Sequence, residues 1–125
     1  MAKGKGVILC IDDDPDILSF FKTVLEAEGH KVVVAATGED GLKAFRERKP
    51  DMVFVDLMME EVDAGASFVR HVKASGSQVP MYMVTSVGDA LNSNIDYSSL
   101  GVKGVIQKPV NIPNLLQIVN IALKS

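Results

Sequence analysis

Four short apolar runs, spread over nearly the whole chain, each lead into side chains able to do chemistry. Residues 7–11 lead into Asp12, Asp13 and Asp14, and residues 51–55 into Asp56. Residues 79–84 lead into Thr85 and Ser86, and residues 103–107 into Lys108 and Pro109. Three carboxylates gathered in one place repel one another unless a cation offsets them. Mg²⁺ suits such a set, because it prefers oxygen ligands and is commonly held by one or two carboxylates, waters and phosphate oxygens. Asp12, Asp13 and Asp56 can supply that incomplete shell and leave room for a phosphoryl group. Lys108 offers a point charge for a phosphate oxygen, and Thr85 a hydroxyl donor.

The elements that must gather these groups follow from periodicity. Five runs of strand length, at 7–11, 31–36, 51–55, 79–84 and 103–107, are mostly rich in β-branched residues. Between them lie helical patterns. Ile17, Phe20, Phe21, Val24 and Leu25 form one apolar stripe, ended by Gly29. Leu42 with Phe45, and Phe68 and Val69 with Val72, mark two further helices. Leu115, Leu116, Val119, Ala122 and Leu123 mark a last one, with Asn111 as its cap and Pro113 in its first turn. Residues 87–100 read as either helix or loop. Alternating strands and helices predict parallel strands, each helix making the crossover. The expected fold is a flavodoxin-like doubly wound α/β sandwich, a five-stranded sheet in the order 2-1-3-4-5 with helices on both faces. In that order strand 3 is central and strands 1 and 4 flank it. Asp12, Asp13, Thr85 and Lys108 then converge on Asp56 at the carboxyl edge, where such sheets bind ligands. A carboxylate can attack phosphorus to form an aspartyl phosphate, and Asp56 is the one best placed to do so.

Composition bounds the rest. One hundred and twenty-five residues suit one domain, since domains cluster near roughly 100–150. A net charge of −3, with no run of lysine or arginine, argues against direct nucleic-acid binding. No apolar stretch approaches the roughly 18–20 residues of a membrane span, and the N-terminal segment lacks a signal peptide's apolar core. The expected location is cytoplasmic, and the single cysteine, Cys10, excludes an internal disulfide.

The motifs V-I-L-C-I-D-D-D-P, M-V-F-V-D-L-M-M, M-V-T-S and V-I-Q-K-P, in this order and at these separations, resemble the receiver domain of two-component response regulators, in particular the single-domain, chemotaxis-type receivers. The resemblance covers residues 1–125. It implies that Asp56 is the phosphoacceptor, served by a sensor histidine kinase or a histidine phosphotransfer protein. It further implies that Asp13, Asp56 and the backbone carbonyl of Met58 ligate Mg²⁺, with Asp12 acting mainly through water. Thr85 and Lys108 would contact the phosphoryl oxygens, and the Lys108–Pro109 bond would be cis. Such a domain is not an enzyme beyond phosphorylating and dephosphorylating itself. With no effector segment evident, it fits a stand-alone receiver or one cut from a longer protein, and its output would be binding of a downstream protein.

The chain departs from the family pattern in places. Glu60 replaces a proline after the phosphoacceptor, and Ala64 stands where the family has glycine, which is displaced to Gly65. Val105 and Val110 replace aromatic residues, and Val105 has no ring to swing when phosphate binds. These departures keep open a second reading, a receiver-like interaction module that no longer responds to phosphorylation. A phosphatase of the haloacid-dehalogenase type would also use an Asp after a first strand, but Pro15 and Asp16 do not fit its motif. Asp14, Pro15 and Asp16 read simply as a helix start. Cys10, His30, His71 and the methionines read as packing or surface residues.

Overall fold

A computed structural model describes residues 6–56, 64–86 and 101–123. The chain runs β1 (Val7–Ile11), α1 (Pro15–Ala27), β2 (Lys31–Ala35), α2 (Gly38–Arg48), β3 (Met52–Asp56), α3 (Ala64–Ala74), β4 (Met81–Ser86), β5 (Gly104–Lys108) and α4 (Ile112–Leu123). The strands pair in parallel in the order β2-β1-β3-β4-β5, as the alternation of elements predicts.

Strand alternation divides the core into two layers. Leu9, Ile11, Val53, Val55, Met81 and Met83 meet Phe68, Val69 and Val72 of α3, with Leu42 and Phe45 of α2 packed alongside. Ile8, Cys10, Met52, Phe54, Val84 and Ile106 meet Phe21 and Leu25 of α1 and Leu115 and Val119 of α4. Every residue of β3 is buried. That is the signature of a central strand covered on both faces. Phe54 stacks on Phe21, with ring centroids 5.1 Å apart, and ties the middle of the sheet to α1. Truncating so enclosed a ring costs about 3–5 kcal/mol. On the other face, Gly41 lets α2 lie against β1, because a Cβ there would come within 2.5 Å of Ile11.

The helix starts are local decisions. The Asp14 side chain accepts the Asp16 N–H, with Pro15 in the first turn. Thr37 accepts the Asp40 N–H, and the Asn111 side chain accepts the Asn114 N–H at 2.9 Å. Each satisfies a donor that the helix itself leaves without a partner.

The structure moves several boundaries. β4 begins at Met81 rather than Val79, because the Val79 N–H turns to Ser77 Oγ and Pro80 has no N–H to donate. The Pro80 carbonyl does accept the Val53 N–H, so pairing starts at its oxygen. Thr85 and Ser86 are therefore the last residues of the strand instead of the first beyond it. β5 is displaced by one residue in the same sense and ends on Lys108. β3 excludes Asp51 and includes Asp56, and β2 stops at Ala35. Met58, Glu60 and residues 87–100 lie outside the described residues, so the readings made there stand as expectations only.

Candidate functional site

Strand register brings the singled-out groups to one edge. Asp56 pairs with Val84, and Ser86 with Lys108. Asp56 thus ends β3, and on the adjacent β4 and β5 Thr85 lies one residue and Lys108 two residues beyond its level, where strands lie roughly 4.8 Å apart. From the other side, β1 delivers Asp12. Its N–H donates to the Ala35 carbonyl at 3.0 Å, which carries the β1–β2 ladder one step beyond the strand. The Asp14 N–H then donates to Asp12 Oδ1 at 2.9 Å. That bond fixes the carboxylate and turns Oδ2 toward the centre of the edge.

Lys108 Nζ lies 3.0 Å from Asp12 Oδ2 and 3.5 Å from Asp56 Oδ1. Asp12 is 2 % exposed, Asp56 3 % and Thr85 0 %, so the charged groups sit where water screens them little. Burial works against the Lys108 ammonium, but the hydrogen bond to Asp12 and the charges of Asp56 and Asp12 outweigh it and raise its pKa above the ordinary 10.5. Lys108 is therefore a cation at neutral pH. Asp13 is exposed, and one carboxylate oxygen from each of Asp12, Asp13 and Asp56 lies within 4.8 Å of the other two.

Three carboxylates against one ammonium leave the edge with excess negative charge, and the convergent atoms are all oxygens. This donor set fits a hard divalent cation such as Mg²⁺. Asp12, Asp13, Asp56, Thr85 and Lys108 are brought together as the sequence predicts, and the Lys108–Pro109 bond is cis. Only Met58 of the predicted set falls outside the described residues. What sequence reasoning missed is the shorter contact of Lys108, which is to Asp12 rather than to Asp56. Residues from opposite ends of the chain give no spacing signal for such a pair.

The remaining candidates take structural places. His30 is buried, and its Nδ1 accepts the Gly6 N–H at 3.3 Å. His71 is exposed, with Nδ1 3.0 Å from the Ser67 carbonyl oxygen. Burial, and secondarily the charge of Asp12, push the Cys10 thiol far up, which makes it a packing residue.

Comparison with known proteins settles the family: the response regulator receiver domain matches residues 8–120. The chain belongs to that family. It is 34 % identical over 103 residues to the transcriptional regulatory protein AfsQ1 of Streptomyces coelicolor, covering 82 % of this chain and 44 % of that protein. It is 31 % identical over 117 residues to protein PilH of Pseudomonas aeruginosa, covering 93 % of this chain and 96 % of that one. A response regulator receiver domain from Clostridium thermocellum superposes with a TM-score of 0.83 at 29 % identity, covering 94 % and 93 % of the two chains. The chain thus spans nearly all of PilH but less than half of AfsQ1.

The receiver is a two-component signalling domain, and such domains are phosphoacceptors rather than enzymes in their own right. Receivers bind Mg²⁺ through an acidic pocket and interact with histidine kinases or phosphotransfer proteins and with downstream targets. Among the described residues no helix is long and apolar enough to cross a membrane.

Proposed function

We propose that Asp56 accepts a phosphoryl group from a phosphohistidine of a sensor kinase or phosphotransfer protein. The P–N bond of the donor breaks as a P–O bond forms to an Asp56 carboxylate oxygen, and the imidazole leaves with the nitrogen electron pair. One observation carries the reading: a buried carboxylate ends the central strand with an ammonium 3.5 Å away and two further carboxylates beside it. Asp13, Asp56 and the Met58 carbonyl would hold Mg²⁺, with Asp12 acting through water, and the ion would supply charge neutralisation for the transferring group. Lys108 and the Thr85 hydroxyl would meet the phosphoryl oxygens, where preorganised charge and donors do most of the work in phosphoryl transfer. Release by water returns the free carboxylate, so self-phosphorylation from small donors and self-dephosphorylation belong to the same site.

The output in this reading is a shift between two surface conformations that differ in affinity for a downstream protein. Residues 1–125 form one receiver domain, and the exchange takes place in the cytoplasm, in keeping with a free and buried Cys10.

Incubation with Mg²⁺ and a small acyl phosphate tests the reading. The expected product is a base-labile adduct that mass spectrometry of proteolytic fragments locates on Asp56. An inert protein, with acyl phosphate and with phosphorylated donor proteins alike, would return the chain to the class of phosphorylation-independent interaction modules.

A further inference from the structure

β2 is an edge strand of the sheet, paired on one side only, with β1. The Lys31 N–H donates to the Gly6 carbonyl and the Ala35 carbonyl accepts the Asp12 N–H, so Lys31, Val33 and Ala35 spend their backbone groups on β1. Alternation turns the N–H and C=O groups of Val32 and Val34 outward, where among the described residues no protein group meets them. The side chains along this edge are apolar. Val34 is 42 % exposed and, together with Pro15, Leu18, Ser19 and Lys22 of α1, lines a groove of about 240 Å³. Edge strands are ordinarily blunted by charges, proline or bulges, and β2 carries one charge, on its first residue, Lys31. The other edge strand, β5, interrupts its apolar residues with Gly104, Gln107 and Lys108.

We propose that β2 is the interface of a symmetric dimer, in which a second copy of this chain adds its own β2 antiparallel with the two-fold axis at Val33. In that register Val32 lies opposite Val34 of the copy, and each exchanges its outward N–H and C=O with the other. Val33 meets Val33 of the copy on the axis. The exposed Val34 is then covered by Val32 of the copy on the face that carries α1, a cross-strand pair of β-branched side chains. Charge complementarity selects a second copy as the occupant. Lys31 falls opposite the uncharged Ala35 of the copy, which keeps the two lysines at opposite ends of the ribbon. Each lysine arrives where the copy's β2 gives way to α2, whose first turn carries the exposed Glu39 and Asp40. A basic end thus meets an acidic end twice over, as a self-complementary interface requires. Parallel addition in the same register would set lysine beside lysine and acid beside acid.

Sedimentation equilibrium of the full chain tests the proposal. The wild type is expected to dimerise reversibly with a dissociation constant below about 1 mM. Val34→Lys, at an exposed position, is expected to weaken the dimer at least about tenfold, because it takes a valine out of both halves of the interface. Ile121→Lys, on the exposed side of α4, is expected to leave the dimer constant unchanged. Lys31→Glu alone and Glu39→Lys with Asp40→Lys should each self-associate less than the wild type. A mixture of these two variants should pair at least about threefold more tightly than either does with itself, since both contacts regain opposite charges. Amide exchange of the wild type gives a reading that needs no variant: the Val32 and Val34 N–H groups should exchange more slowly as the protein concentration rises. A chain that stays monomeric at about 1 mM would overturn the proposal. So would a dimer that Ile121→Lys breaks and Val34→Lys does not, a mixture that pairs no better than its components, or Val32 and Val34 amides indifferent to concentration.

Discussion

The aspartates at the two ends of the third strand differ in everything but their side chain. Asp51 precedes β3, is exposed, and spends one carboxylate oxygen on a backbone donor, accepting the Val7 N–H at 2.8 Å. Its own N–H returns to the Val7 carbonyl at 2.7 Å, so the residue closes the start of β1 onto β3. Gly6 completes that join, because a Cβ there would sit 2.6 Å from the Asp51 carboxylate. Asp56 ends the strand, is buried, and faces an ammonium and two more carboxylates. A single neutral donor satisfies Asp51 and leaves it no further task. The crowded charges around Asp56 leave an excess that only a ligand can balance. In this sheet, polarity marks both edges, and what separates chemistry from architecture is the set of partners around each carboxylate.

Conservative substitutions at the two positions give the largest contrast. Asp56→Asn is expected to abolish acyl-phosphate labelling, a loss of at least about a hundredfold given that the attacking oxygen is changed. Asp51→Asn is expected to label at the wild-type rate. Equal loss in both variants, read by mass spectrometry, would erase the distinction between the two ends. One step smaller are Asp13→Ala and Lys108→Ala, each expected to slow labelling by on the order of 10²-fold, the usual effect of removing one charge-stabilising group. Both should retain the wild-type far-ultraviolet circular dichroism spectrum. Smaller again is Thr85→Val, which keeps the shape of a fully buried side chain and removes only its hydroxyl. One neutral donor supports roughly a tenfold loss. A Thr85→Val protein that labels at full rate would take the hydroxyl out of the site.

Much of this arrangement is legible in the sequence, for a reason that belongs to the fold class. In a parallel sheet all strands point the same way, so whatever follows each apolar run arrives at one edge, and Asp12, Asp13, Asp56, Thr85 and Lys108 can be read off without knowing a single contact. Strand order follows from short right-handed crossovers. The boundaries were less legible, because hydrophobicity does not report where hydrogen bonding begins. Val79 is apolar yet lies before β4, held off by the Ser77 hydroxyl and by Pro80. Asp56 and Lys108 are charged yet lie within strands, since backbone pairing continues to the edge regardless of side chain. Least legible is the choice Lys108 makes between carboxylates. Spacing places Asp12 and Asp56 at the same edge, but the preference for Asp12 depends on the Asp14 N–H turning one oxygen inward, a matter of local backbone geometry at the start of α1.

The smallest expected effect returns to Asp51 and tests the quiet half of the comparison. Asp51→Ala removes an acceptor for the Val7 N–H at an exposed position, where water can replace it. The loss should therefore be about 1 kcal/mol, the typical net worth of one hydrogen bond, and not the larger penalty of a donor stranded in the interior. Urea unfolding should show a lower midpoint with an unchanged slope, since no more surface is exposed on unfolding than before. Labelling at Asp56 should be unaffected, because the whole length of β3 lies between the two groups and Val53, Phe54 and Val55 are held on both sides by the neighbouring strands. If Asp51→Ala slowed labelling while costing only this much stability, β3 would be transmitting the state of one end to the other. The two ends would then be one coupled system, and the division between an architectural edge and a chemical edge would have to be given up.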